Sequence, residues 1–190
     1  MASFTDIPTA SLAPDKYVTY DLLTALRDNT LATVWHPYNK TTIGDANTGL
    51  FYDFAVHGTQ ANITTPDFED GYDYMVIVSE LSHNGGATPY LEVQLYQETS
   101  AAYTSAQAAD NGTSSLEPAN GQIIFPWART SRTGHVFQMT MARGNYSDMP
   151  HRGVTVSPAQ KILRARLAYS SGSIDAGKAY LYRRGVFSAA

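Results

Sequence analysis

The densest set of ionisable side chains in the chain is "PDFEDGYD", which places Asp67, Glu69, Asp70 and Asp73 around Gly71. Carboxylate oxygens crowded about a glycine turn are the ligands a calcium ion takes. An EF-hand loop, however, spaces its acids at alternate positions ahead of the glycine, whereas Glu69, Asp70 and Gly71 are adjacent. A full ligand set is not formed, so no metal is expected and a solvated turn is the plainer reading. "GDANTG" offers Asp45 and Asn47 in the same vein. The histidines at 36, 57, 83, 135 and 151 make no His-x-x-x-His pair, and no Gly-x-Ser-x-Gly elbow is present. Two carboxylates placed for glycoside cleavage cannot be picked out without distances. The expectation is therefore a protein without catalytic residues or cofactors, with a glycan-degrading enzyme as a lesser alternative.

Aromatic and basic residues are the other candidates. There are 13 Tyr, 7 Phe and 2 Trp, enough that ring burial alone accounts for most of them. Tyr103, Trp127 and Tyr146 fall near loops or strand ends, where an exposed ring can stack on a sugar. A core or a subunit interface is the competing use. Basic residues gather late, at Arg143, Arg152, Arg164, Arg166, Arg183 and Arg184. In "KILRARLAYS" the alternation sets Ile162, Arg164 and Arg166 opposite Leu163, Ala165, Leu167 and Tyr169. An acidic partner, a sister subunit or plain solvent would each suit that cationic face.

The elements that must position these residues follow from periodicity. Of 190 residues, 43% are hydrophobic and 16% charged, sufficient for one core of ordinary size. The net charge of −4 argues against a nucleic-acid partner, and the absence of cysteine excludes disulfides. Neither a signal peptide nor an apolar run of membrane-spanning length is visible, so assembly in the cytoplasm without membrane insertion is expected. Sequons at Asn39, Asn62, Asn111 and Asn145 read as chance in such a chain. Residues 1–16 look like an extended arm. From Tyr20, Leu22, Leu23, Ala25 and Leu26 fall at helical spacing, with Thr19 or Asp21 as cap and Asn29 as stop. A helix of about ten residues is marginal alone in water and needs a surface.

Beyond it the pattern turns to strands. "LFYDFAVHG" alternates as one strand, and "YDYMVIVSELSHNGGATPYLEVQLYQE" reads as a β-hairpin turning at His83-Asn84-Gly85-Gly86. Ser100 to Asn120 reads as a loop. "GQIIFPWA" is a short strand halted at Pro126, and "GHVFQMTMA", "KILRARLAYS" and "AGKAYLYRRG" complete the series. The fold expected is mainly β, an antiparallel β-sandwich or jelly roll preceded by an N-terminal arm and short helix.

"TYDLLTALRDNTLA" resembles a segment found near the start of surface proteins of tailed phages and phage-derived gene transfer agents. There a Leu-x-x-Leu-Arg-Asp-Asn-x-Leu-Ala helix precedes a β domain. "FEDGYDYMVIVSELSHNGGATPYLEVQLYQETSAAY" is similar to the hairpin of phage fibre and spike sandwiches, and "GSIDAGKAYLYRRG" to their closing strand. The resemblance implies a virion structural protein, a head spike or the base of a spike or fibre. Residues 1–35 would attach it, through Leu22, Leu23 and Leu26, and residues 36–190 would form the projecting sandwich. Implied partners are capsid or tail proteins, sister subunits in a homo-oligomer and, in an adhesin reading, host-surface polysaccharide. The implied location is the particle surface.

Overall fold

The computed structural model describes residues 34–38, 48–86, 89–108, 118–126, 128–143, 146–148 and 151–185. The arm and helix expected before Val34, with Leu22, Leu23 and Leu26, lie outside the described residues. So do Asp45 and Asn47. In chain order the elements are β1 (His36–Pro37), β2 (Leu50–Asp53), α1 (Phe54–His57), β3 (Asn62–Thr64), β4 (Tyr72–His83), β5 (Leu91–Gln97) and β6 (Ala102–Tyr103). There follow β7 (Gln107–Ala108), β8 (Ala119–Phe125), β9 (Arg132–Arg143), β10 (Tyr146–Asp148), β11 (His151–Gln160), β12 (Ile162–Tyr169) and β13 (Ile174–Gly185).

These strands form two antiparallel sheets. The larger, sheet A, runs β1-β13-β4-β8-β9-β10, with β2 also on β13 and β11 also on β9. The smaller, sheet B, runs β3-β12-β5-β6, with β7 also on β5. Alternation explains how they face each other. In β5, Leu91, Val93 and Leu95 are buried while Glu92, Gln94 and Tyr96 are half-buried on the outside. In β9, Phe137, Met139 and Met141 point in while Val136 and Gln138 are exposed. One apolar cluster joins both sheets, including Val76, Ile123, Phe137 and Leu181 from sheet A and Leu91, Val93 and Leu167 from sheet B. The Tyr169 hydroxyl crosses the gap to donate to the Leu81 carbonyl at 2.6 Å. This is the β-sandwich expected from the periodicity.

Several local expectations are corrected. β4 and β5 are not a hairpin: they lie in different sheets, and the chain between them turns a corner from A to B. A second corner, Ser170–Ser173, carries it back from β12 to β13 and packs against the first. There the Asn84 amide donates to the Ser173 carbonyl at 3.1 Å, and the Ser173 amide to Asn84 Oδ1 at 2.9 Å. The approach at Gly85 is so close that a Cβ would lie 2.6 Å from the Ser171 carbonyl oxygen. Hairpins and such corners use the same small and polar residues, which is why the sequence alone did not separate them. "LFYDFAVHG" is likewise not one strand. Asp53 accepts from the Ala55 amide at 2.9 Å and caps a single helical turn, α1. The Ser100–Asn120 segment contains β6 and β7, both paired to β5.

Candidate functional site

The acidic turn leads into β4 and is anchored by Phe68, whose ring stacks on Tyr74 with centroids 4.2 Å apart. With Phe68 inside, the carboxylates on either side are set on the rim of the sandwich, where the late cations meet them. Asp67 Oδ1 lies 3.2 Å from Arg164 Nε in a poorly aligned ion pair. Glu69 pairs with Arg183. Asp70 receives both Arg129 Nε at 2.9 Å and Lys161 Nζ at 2.8 Å. Asp73 takes Arg184 Nη2 at 3.1 Å. Arg129 reaches on to Glu98 at 2.8 Å and links β5 to the turn. The hydrogen bond from Lys161, with help from Arg129, holds the Asp70 carboxyl below its ordinary range. Arg183 also covers the Tyr38 and Tyr72 rings at 4.9 and 4.4 Å from their centroids. Burial first, then Glu69, pushes the Tyr38 hydroxyl up to about 12.

The turn is thus an ionic girdle binding the loop before β4 to β12, β13 and the β8–β9 connection. Its more exposed pairs, such as Lys161 with Asp70 and Arg164 with Asp67, contribute roughly 0.2–1 kcal/mol each, while the Arg129 and Asp73 side chains are only 11% and 7% exposed. Among the described residues no group of three or more His, Asp or Glu is arranged to hold a metal ion.

The outer face of sheet B is the second assembly. Its register sets Arg164 beside Tyr96, Arg166 between Thr64 and Gln94, and Ala168 between Asn62 and Glu92. Tyr96 in turn lies beside Tyr103. The Arg164 guanidinium sits 4.7 Å from the Tyr96 ring centroid and that of Arg166 sits 3.9 Å from the Tyr103 ring. Arg166 also donates from Nε, at 2.9 Å, and from Nη2 to Gln94 Oε1. Gln94 is held by its own Nε2, which donates to the Thr104 carbonyl at 3.3 Å. Planar polar side chains are thereby held against one another across a half-buried sheet face.

Of the residues singled out in the sequence, Tyr103 joins this face. Trp127 lies outside the described residues, as does the side chain of Tyr146. The histidines are dispersed: His36 in β1, His57 at the end of α1, His83 at the corner and His135 buried in β9. Gln94, Glu92, Thr64 and Asn62 were missed, although the alternation of "LEVQLYQ" already placed the first two on the face of Tyr96. Arg129 and Lys161 were missed because their partners lie 59 and 91 residues away. No helix among the described residues is long and apolar enough to cross a membrane. Compared with protein-family models, curated proteins and solved structures, the chain matches none.

Proposed function

We propose that the chain is a non-catalytic structural component of a phage-like particle, a head spike or the base of a spike or fibre. Residues 1–35 would attach it to capsid or tail proteins, and the sandwich would pack with sister copies at the particle surface. The observation that carries this reading is the outer face of sheet A. Register places Tyr182, Met75 and Ile124 side by side, and Tyr180, Ile77 and Gln122 in the next rank. Met75 is 7% exposed, and Ile77, Ile124, Tyr180 and Tyr182 are half-buried, all outside the core cluster. No charge interrupts these two ranks. An uncharged apolar sheet face is what a subunit presents to a neighbour, and symmetric closure is the usual way to cover it. The first described strand also lies beside this face: β1 pairs with β13, and Arg184 lies 4.8 Å from the Trp35 ring centroid.

The test is the solution mass of the full chain beside its attachment to particles. Wild type should form a defined oligomer, while Ile124→Lys should give a monomer with an unchanged melting profile. A wild-type protein that stays monomeric at all concentrations and attaches to no particle would overturn the proposal. A second function, recognition of a host-surface saccharide, is favoured by the ordered Arg166 on the opposite face.

A further inference from the structure

Arg166 differs from the other cations of the girdle and its surroundings. Arg129, Lys161, Arg164, Lys178, Arg183 and Arg184 each have a carboxylate within salt-bridge distance. Arg166 has none among the described residues; its contacts are Gln94 and the Tyr103 ring. A guanidinium has five N–H donors in a planar fork. Gln94 Oε1 takes Nε–H and one Nη2–H, along one side of that fork. Of the three hydrogens that remain, one on Nη1 and one on Nη2 point end-on, the geometry that meets a carboxylate through two parallel hydrogen bonds. Tyr103 fixes the plane of the group and Gln94 its rotation, so little side-chain freedom is left to lose on binding.

We infer that the outer face of sheet B is a binding platform for a carboxylate-bearing saccharide, with Arg166 as the group that receives the carboxylate. The inference deepens the second reading above and is independent of particle assembly. The surroundings suit a sugar. Thr64 lies beside Arg166, and Ala168, with its short side chain, lies between Asn62 and Glu92. Asn62, Thr64 and Gln94 supply amide and hydroxyl groups for sugar hydroxyls. Glu92, on the same face, accepts hydroxyl hydrogens but repels an anion, so it orients the ligand with its carboxylate toward Arg166. An acidic peptide fits less well. Extended peptides add to free sheet edges, whereas β12 is flanked by β3 and β5, and β5 by β12 and by β6 and β7. Arg166 itself lies on the face of β12, where side chains make the contacts.

The full-length protein is titrated by calorimetry with oligogalacturonate, sialyl-lactose and an Asp/Glu-rich peptide. Methyl-esterified forms of the two saccharides serve as charge-free counterparts. At least one acidic saccharide should bind, with esterification or Arg166→Gln weakening it about tenfold or more. Arg166→Lys, which keeps the charge but loses the fork, should also weaken it. Glu92→Gln should tighten binding, and Lys178→Gln, on the other sheet, should leave it unchanged. Melting curves establish that each variant is folded; should Arg166→Gln fail to fold, Arg166→Lys and esterification decide. No binding by either saccharide, binding indifferent to esterification and to the Arg166 variants, or equal binding of the peptide would each overturn the inference. The oligomer mass, measured on the same samples, reports separately on the assembly reading.

Discussion

His135 is 3% exposed in β9, with Nε2 2.9 Å from the Gln160 carbonyl oxygen. Gln160 is itself a hub: its Oε1 accepts from the Thr99 and Ser100 amides at 2.9 and 3.0 Å. Burial lowers the His135 pKa below its ordinary 6.5; the Gln160 carbonyl opposes this and the nearby Arg132 charge reinforces it. With the folded pKa depressed, the unfolded chain binds the extra proton first. The neutral imidazole's contribution is therefore complete above pH ~6.5 and is lost as pH falls toward the folded value. Asp70 and Asp53 add a second, more acidic step. Lys161 depresses the first, and the Ala55 amide followed by Lys178 the second. Their contribution is lost only below about pH 4. The melting temperature should thus fall in two stages on acidification. His135→Gln should flatten the stage that sets in below about pH 6.5 and leave the more acidic one. An unchanged upper stage in thermal melts of that variant would show that another group titrates there.

At the scale of elements, sheet A curls along a line of irregular residues rather than at a proline. Glu80 in β4 has φ 53° and Gly177 in β13 has φ 94°. Register with both neighbours of β4 slips around these positions. The orphaned Glu80 amide is satisfied by Asn120 Oδ1 in β8 at 2.8 Å. A Cβ on Gly177 would stand 2.5 Å from the Glu80 carbonyl oxygen. Gly177→Val should accordingly cost about 2 kcal/mol or more, from strain and collision together. Glu80→Gly, which removes a side chain from the left-handed region, should cost little or stabilise by up to about 1 kcal/mol. Chemical denaturation of the two variants separates these outcomes; equal losses would mean the bend is not pinned at this line. The sequence showed the buried phase of β4 through Tyr74, Val76 and Val78, and that of β9 through Phe137, Met139 and Met141. It did not show the phase change that buries Leu81 and His83, because glutamate carries no turn signal. The girdle was half legible: the acids and the arginines were each conspicuous, but periodicity carries no information on contacts between distant segments. On the face of sheet B, Arg164 and Arg166 were legible from alternation, whereas the contact of Arg164 with Tyr96 depends on the long-range β12–β5 pairing and that of Arg166 with Tyr103 on a β5–β6 pairing hidden in a Ser/Thr/Ala-rich stretch.

The molecule as a whole has two unlike outer surfaces, apolar over the middle of sheet A and cationic-aromatic over sheet B, on either side of one shared core. That core draws its described members from Tyr38 onward, and the described strands, from His36 to Gly185, pair with one another in the two sheets. A chain begun at Val34 should therefore remain soluble and melt in one cooperative transition. If Leu22, Leu23 and Leu26 are the attachment residues, each contributes about 1.5–3 kcal/mol when buried against a partner. Losing all three should abolish attachment to particles while the melting profile and any saccharide binding persist. Replacing only these three leucines with serine in the full chain should reproduce the attachment defect, which separates side-chain burial from loss of the arm as a tether. A truncated protein that aggregates or melts without cooperativity would instead show that the segment completes the sandwich. A folded truncation that still attaches would move the attachment surface to sheet A. In that case Ile124→Lys in the truncated chain should be the change that releases it.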